Sequence, residues 1–355
     1  MLGGAVIFSP LVQACAPQAP PDQTVTGDPQ PTAAPPADAT SVPVPTATAV
    51  PKEEAGMATI ALVKTQDRAD GVRRAIELLR ANGMRGDHVL LKPNFNSADE
   101  APGSTHADVL RALAVELSNA GARSITVADR SGMGDTRAVM QRKGVFDLAE
   151  ELGLNTIVFD ELAETDWVVQ QSPDYHWSQG YAVPRTLLDA DAVVQTCNLK
   201  THRYGGHFTL SLKNSVGLAA KTVPGDRYDY MSELHGSSYQ RHMIAEINTA
   251  YTPALIVMDG VEAFVEGGPA TGKKVSAEVV LAGTDRVAID AVGVAILRLF
   301  GTTPEVSRGK VFDQEQIARA VELGLGVDSP DKIQFVTGDA ASDTYAQQVR
   351  ETLIR

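Results

Sequence analysis

Two lysines, two histidines, two asparagines and a cysteine fall within residues 196–217 (TCNLKTHRYGGHFTLSLKNSVG). Ammonium groups hold oxyanions, a neutral imidazole moves protons, and two nearby imidazoles can share a divalent metal. Lys200, His202 and Lys213 are therefore the residues expected to carry chemistry, the lysines holding an anion and His202 transferring protons. Cys197 beside them can be an activated thiol, but a lone cysteine at a strand end is usually a small buried hydrophobe.

Other polar residues stand where apolar runs end. Lys92 follows Leu90-Leu91 and precedes Pro93-Asn94, so burial would depress its pKa unless it is paired or holds an anion. Asp129-Arg130 and Asp259-Gly260 each close a similar run. Lys92, Asn94, Asn198, Asn214 and the Gly267-Gly268 loop are expected to contact a small anionic or polar substrate. His202, His207, Asp259 and Asp290 are the candidate ligands for a divalent metal ion, with Asp129 a further carboxylate. Asp290 lies in a helix that is apolar almost all round, and a Lys213–Asp290 ion pair would account for both buried charges without a ligand. Thr105 is expected to cap the helix that follows, with His106 a further site candidate.

The elements that must position these groups alternate. Apolar runs predict strands at 58–63, 88–91, 124–128, 155–159, 167–170, 192–196, 254–258, 276–282 and 332–336. Helical spacing predicts helices over 71–82 (stopped by Gly83), 107–119, 137–152 (broken near Gly144), 242–251, 287–300 and 313–323. Residues 172–180 read as a loop or hairpin, and 226–238 as a polar excursion or lid. The fold class is α/β: a mixed, largely parallel sheet flanked by helices. Parallel strands present their carboxyl ends at one edge, so Lys92, Asp129, the Asn198–His202 cluster and Asp259 are expected to converge in one crevice.

A chain of 355 residues with 43% hydrophobic content can bury a sizeable core. The formal charge of -13 argues against a nucleic-acid partner and requires any anion site to be locally basic. Residues 1–15 read as a truncated export signal ending in the lipobox-like Val12-Gln13-Ala14-Cys15, with an apolar run too short to span a bilayer. Basic residues are missing before it, which suggests that the true signal starts further upstream. Residues 16–56 form a Pro/Ala/Thr-rich spacer expected to be disordered, and 57–355 the α/β domain. The chain is thus expected to be exported and lipid-anchored through Cys15 to the outer face of the cell membrane. With Cys15 lipidated, Cys197 has no disulfide partner, and without Cys-x-x-Cys pairs no iron–sulfur cluster is encoded.

Lys92-Pro93-Asn94, Thr105-His106, Asn198-Leu199-Lys200-Thr201-His202, Ser211-Leu212-Lys213-Asn214 with Gly217, Asp259-Gly260, Gly267-Gly268-Pro269 and Ala288-Ile289-Asp290-Ala291 occur in this order. As a set they resemble the domain-of-unknown-function family 362 (DUF362) over about residues 58–300. The resemblance implies an exported protein, in some members through twin-arginine signals. Some relatives add a ferredoxin-type domain, whose cysteine ligands this sequence lacks. It assigns no reaction. The open readings are an exported enzyme or metal-dependent protein acting on a small anionic or polar substrate, an extracytoplasmic ligand- or metal-binding lipoprotein without catalysis, and a cell-surface scaffold. Oligomeric state has no signal in the sequence.

Overall fold

The structure is a computed structural model that describes residues 56–81 and 84–355. The signal-like segment with Cys15, the spacer up to residue 55 and Gly83 lie outside the described residues.

Eleven strands form among the described residues: β1 (Ala58–Lys64), β2 (His88–Lys92), β3 (Ser124–Asp129), β4 (Asn155–Val158), β5 (Trp167–Gln170), β6 (Tyr181–Pro184), β7 (Ala192–His202), β8 (His207–Thr209), β9 (Pro253–Gly267), β10 (Gly272–Gly283) and β11 (Ile333–Val336), the nine expected and two more, β6 and β8. Nine of them form one sheet in the order β11-β1-β10-β9-β7-β2-β3-β4, with β8 paired to β7 off that path. The run β9-β7-β2-β3-β4 is parallel, β1 pairs parallel with β11, and β10 is antiparallel to both neighbours. β5 and β6 make a separate hairpin. The fold is therefore the mixed, largely parallel α/β sheet expected of strands alternating with helices.

Strand β7 is buried along all eleven residues, as a central parallel strand covered on both faces must be. Its period of two sorts its side chains. Cys197 and Leu199 enter the core that contains the apolar helix Arg286–Leu299. Asn198 and Lys200 alternate with them and bond the loop that follows β2.

Several expectations change. β9 and β10 are far longer than the apolar runs 254–258 and 276–282, because the added length carries charged residues, on β10 largely solvated and on β9 interleaved with buried ones. There Glu262 and Glu266 pair with Lys274 and Lys273 across the hairpin, so hydropathy alone hides the strands. The cap of helix Ala107–Asn119 is His106, which accepts from Asp108 N, while the Thr105 hydroxyl accepts from Asn94 N instead. Residues 226–238 include a helix, Tyr230–Gly236, capped by Asp229. Helix Ala340–Leu353 lies outside the expected helices, although Tyr345, Ala346, Val349 and Leu353 recur at helical spacing and belong to its buried face.

Asp290 illustrates how a buried charge serves the fold. Its carboxylate accepts from Ser211 N and Oγ at 2.7 and 2.6 Å and from Leu212 N at 3.1 Å. It thereby ties the segment that launches Lys213 and Asn214 to the core helix, and burial pushes its pKa up to about 7. Asp290→Ala removes the acceptor for three buried donors. We expect a loss of about 3 kcal/mol of stability in urea unfolding, with Asp290→Asn recovering part of it.

Candidate functional site

The carboxyl ends of β2, β3 and β7 meet at one edge of the sheet. Lys92 ends β2 and is buried; its ammonium donates to Asp129 Oδ1 at 2.7 Å, Pro93 O at 2.8 Å and Asn214 Oδ1 at 3.3 Å. Asp129 ends β3 and also accepts from Phe95 N and Arg130 N, both at 2.8 Å. Asn94 donates to Asn214 Oδ1 at 3.0 Å and accepts from Lys200 Nζ at 2.8 Å. Lys200 completes its bonding on Gly103 O. Asn214 reaches back to β7 through Gln195 Oε1 and Thr196 O. Lys92, Asn214, Asn94 and Lys200 are thus one continuous hydrogen-bonded chain.

These residues line a small chamber of about 50 Å³, together with Arg130, His202, Lys213, Asn96 and Thr209. By the room that one buried water needs, this volume holds roughly four water-sized groups. The lining carries Lys92, Arg130, Lys200 and Lys213 against a single carboxylate, Asp129. Arg130 spends its guanidinium on the Ala219 and Val216 carbonyls. Lys213 makes no hydrogen bond or ion pair among the described residues. Asn96 Nδ2, Thr209 Oγ1 and His202 Nδ1 are buried without partners.

Burial governs the protonation of this set. It lowers Lys200 to about 7, with the neighbouring Lys213 charge adding to the effect. It lowers Lys213 to about 8, assisted by Arg130. His202 is driven well below the usual histidine value by burial and then by both lysines, so its imidazole is neutral. Burial pushes Lys92 down and Asp129 up, and their mutual contact opposes both shifts. Chemically, the chamber can hold an oxyanion and present a neutral imidazole to it.

The expected crevice is real for some residues and not for others. Lys92, Asn94, Asp129, Lys200, His202, Lys213 and Asn214 come together in the chamber. Asn198 instead braces the loop after β2 through Ser104 O. Asp259 is consumed by Arg68 at 2.8 Å and by Val261 N, and does not line the chamber. The Lys213–Asp290 pair does not form, because Asp290 caps the Ser211–Leu212 backbone. Gly268 packs against the Thr201 carbonyl so closely that a Cβ would lie 2.0 Å from it, leaving Pro269 to reach the chamber. Cys197 faces the core, and burial raises its pKa well above the usual thiol value.

The candidate metal ligands are not brought together as a set. His202 and His207 do face each other across the β7–β8 pairing. However, Asp259 and Asp290 are committed elsewhere, and no group of three or more His, Cys, Asp or Glu able to hold a metal occurs among the described residues. Reading the sequence missed Asn96 and Thr209, which carry no motif signal, and gave no role to Arg130 beside Asp129.

The Lys92–Asp129 contact requires a glycine above it. A Cβ on Gly217 would lie 2.6 Å from Asp129 Oδ1 and 2.7 Å from Lys92 Nζ. Gly217→Ala is therefore expected to lower stability by roughly 2–4 kcal/mol in urea unfolding, by separating a buried ion pair. Gly236→Ala, where a Cβ meets nothing within 4 Å, is the control expected to change little.

Comparison with known proteins shows likenesses in sequence, in structure and to a family model. A thylakoid-associated protein of Synechocystis sp. is 27% identical over 219 residues, 60% of this chain and 64% of that relative's length. The lactate racemase apoprotein from Thermoanaerobacterium thermosaccharolyticum superposes with a TM-score of 0.42 at 14% identity, over 81% of this chain and 85% of that one. A family model described as a domain of unknown function, DUF362, matches residues 89–295, a narrower span than the 58–300 expected from the motifs. That span is more than half of the chain and holds every chamber-lining residue, and the chain belongs to the DUF362 family.

Proposed function

We propose that this protein is an enzyme acting on a small oxyanion, a carboxylate or phosphate, held in the chamber. Lys213 and Lys200 would hold the anion and His202 would transfer protons. The observation that carries this reading is the partnering of the lining. Four cationic side chains face one carboxylate, the Lys213 ammonium has no partner among the described residues, and the amide of Asn96 and hydroxyl of Thr209 are buried donors without acceptors. What such a set lacks is an acceptor with negative charge. A neutral His202 with an unpartnered Nδ1 in the same lining supports proton transfer over passive capture.

The depressed lysines set the pH dependence. Between pH about 7 and 10.5 the unfolded chain binds protons that folded Lys200, and in part Lys213, refuses. Their contribution to stability therefore rises with pH across this window and is least favourable near its lower end. A bound oxyanion favours the ammonium forms and offsets that loss. Sulfate, whose charge is constant over this range, should raise Tm most near pH 7 and least near pH 9.5. Lys213→Ala should remove more than half of the shift. If neither sulfate, phosphate nor small carboxylates raise Tm at any pH, the reading is wrong. For any anion found to be turned over, His202→Gln should abolish turnover and keep the Tm shift; loss of both would show that His202 only builds the chamber.

The proposal includes an extracytoplasmic location, with the domain tethered by lipid on Cys15 through the Pro/Ala/Thr-rich spacer. The relative described as thylakoid-associated is in keeping with membrane proximity. No helix among the described residues is long and apolar enough to cross a membrane. Cys15→Ser should move the protein from the membrane to the soluble fraction; unchanged membrane association would refute the tether.

A further inference from the structure

Beside the chamber lies a second, larger space of about 900 Å³. Seven residues line both, among them His202, Lys213, Arg130 and Pro269, so the two spaces adjoin across a common wall. Their chemistry differs. The cations that line only the outer cleft are already neutralised: Lys221 is paired with Asp160 at 2.7 Å and Arg241 with Glu315 at 2.5 Å. His235 bonds the Met231 carbonyl at 2.7 Å and is pushed by burial towards its neutral form. What the cleft offers instead is apolar surface. Met133 and Tyr204 line it and are 46% and 50% exposed, uncommon values for large hydrophobic side chains here, and Val216 and Met231 add to the same wall. The Tyr204 ring stands edge-on to His202 with centroids 5.7 Å apart, and the Arg203 guanidinium lies over it at 5.0 Å.

From this partition we propose that the ligand is an amphipathic organic oxyanion: one carboxylate or phosphate head in the chamber and an aromatic or aliphatic body in the outer cleft, against Tyr204 and Met133. The inference rests on the oxyanion reading above and adds the body. The chamber is too small for more than a head, and its free positive charge stops at the junction. A molecule spanning both spaces places the atom that joins head to body beside the His202 imidazole, where a proton-transfer group is useful. Exposed apolar groups rimming a polar chamber are the arrangement that small-molecule sites use to combine orientation with affinity.

The test is titration calorimetry on the full chain with two matched pairs, inorganic phosphate with phenyl phosphate and acetate with phenylacetate, and phenol as the headless control. In at least one pair the ring-bearing member should bind about tenfold tighter than the bare head, as expected for a modest burial of ring surface. Tyr204→Ala, at a half-exposed position, should shrink that ratio to about threefold or less. Lys213→Ala should weaken both members of the pair. Equal binding of bare and ring-bearing anions in both pairs would overturn the amphipathic ligand and leave the oxyanion reading standing. Binding of none of the four anions would overturn both. Phenol binding as tightly as phenyl phosphate would also overturn the proposal, since the head would then contribute nothing.

Discussion

Lys92 and Asp129 meet at 2.7 Å with both side chains almost wholly out of water, and the carboxyl edge of the sheet is organised around satisfying that pair. An ion pair removed from water is sustained only if its remaining bonding capacity is met. Here Pro93 O and Asn214 Oδ1 complete the ammonium, and two backbone N–H groups complete the carboxylate. The same requirement fixes the neighbours. Asn214 must sit where it can serve Lys92, which brings Lys213 to the chamber wall, and Gly217 must lack a side chain.

Asp129 cannot also compensate Lys200, Lys213 and Arg130. Arg130 is accommodated by carbonyl oxygens, Lys200 by an amide and a carbonyl oxygen, and Lys213 by nothing among the described residues. Holding Lys200 at about 7 rather than 10.5 corresponds to a strain on the order of 5 kcal/mol against its charged form. The core that flanks β7 offsets such a cost. The overall charge of -13 gives no hint of this basic interior, because the acidic residues are spent elsewhere: Asp290 on a backbone turn, Asp259 on Arg68, and many others on surface pairs.

The span shared with the DUF362 family contains β2, β3, β7, β9 and most of the core helix, the parts that build the chamber. β11 and helix Ala340–Leu353 lie beyond it and pack against β1 and the core helix. Scaffold closure and site construction are thus largely separate along the chain. The site motifs carry residue types that are legible locally, whereas the buried face of the last helix carries only an apolar spacing.

Residue types and local order alone determined a great deal: the parallel strands from their apolar runs, the break at Gly144, the placement of Lys92 at a strand end, and the grouping of Lys200, His202 and Lys213 that the fold brings to one chamber. Those features follow from backbone propensity and from where a parallel sheet ends. Only the tertiary structure decided which polar residues share a space. Asp259 and Asp290 looked equivalent to Asp129 in sequence, each a carboxylate buried in or just after an apolar run. Yet one meets a lysine, one an arginine and one a pair of backbone amides, because a buried carboxylate takes whichever donor the fold brings within hydrogen-bonding distance, and no local pattern records that distance.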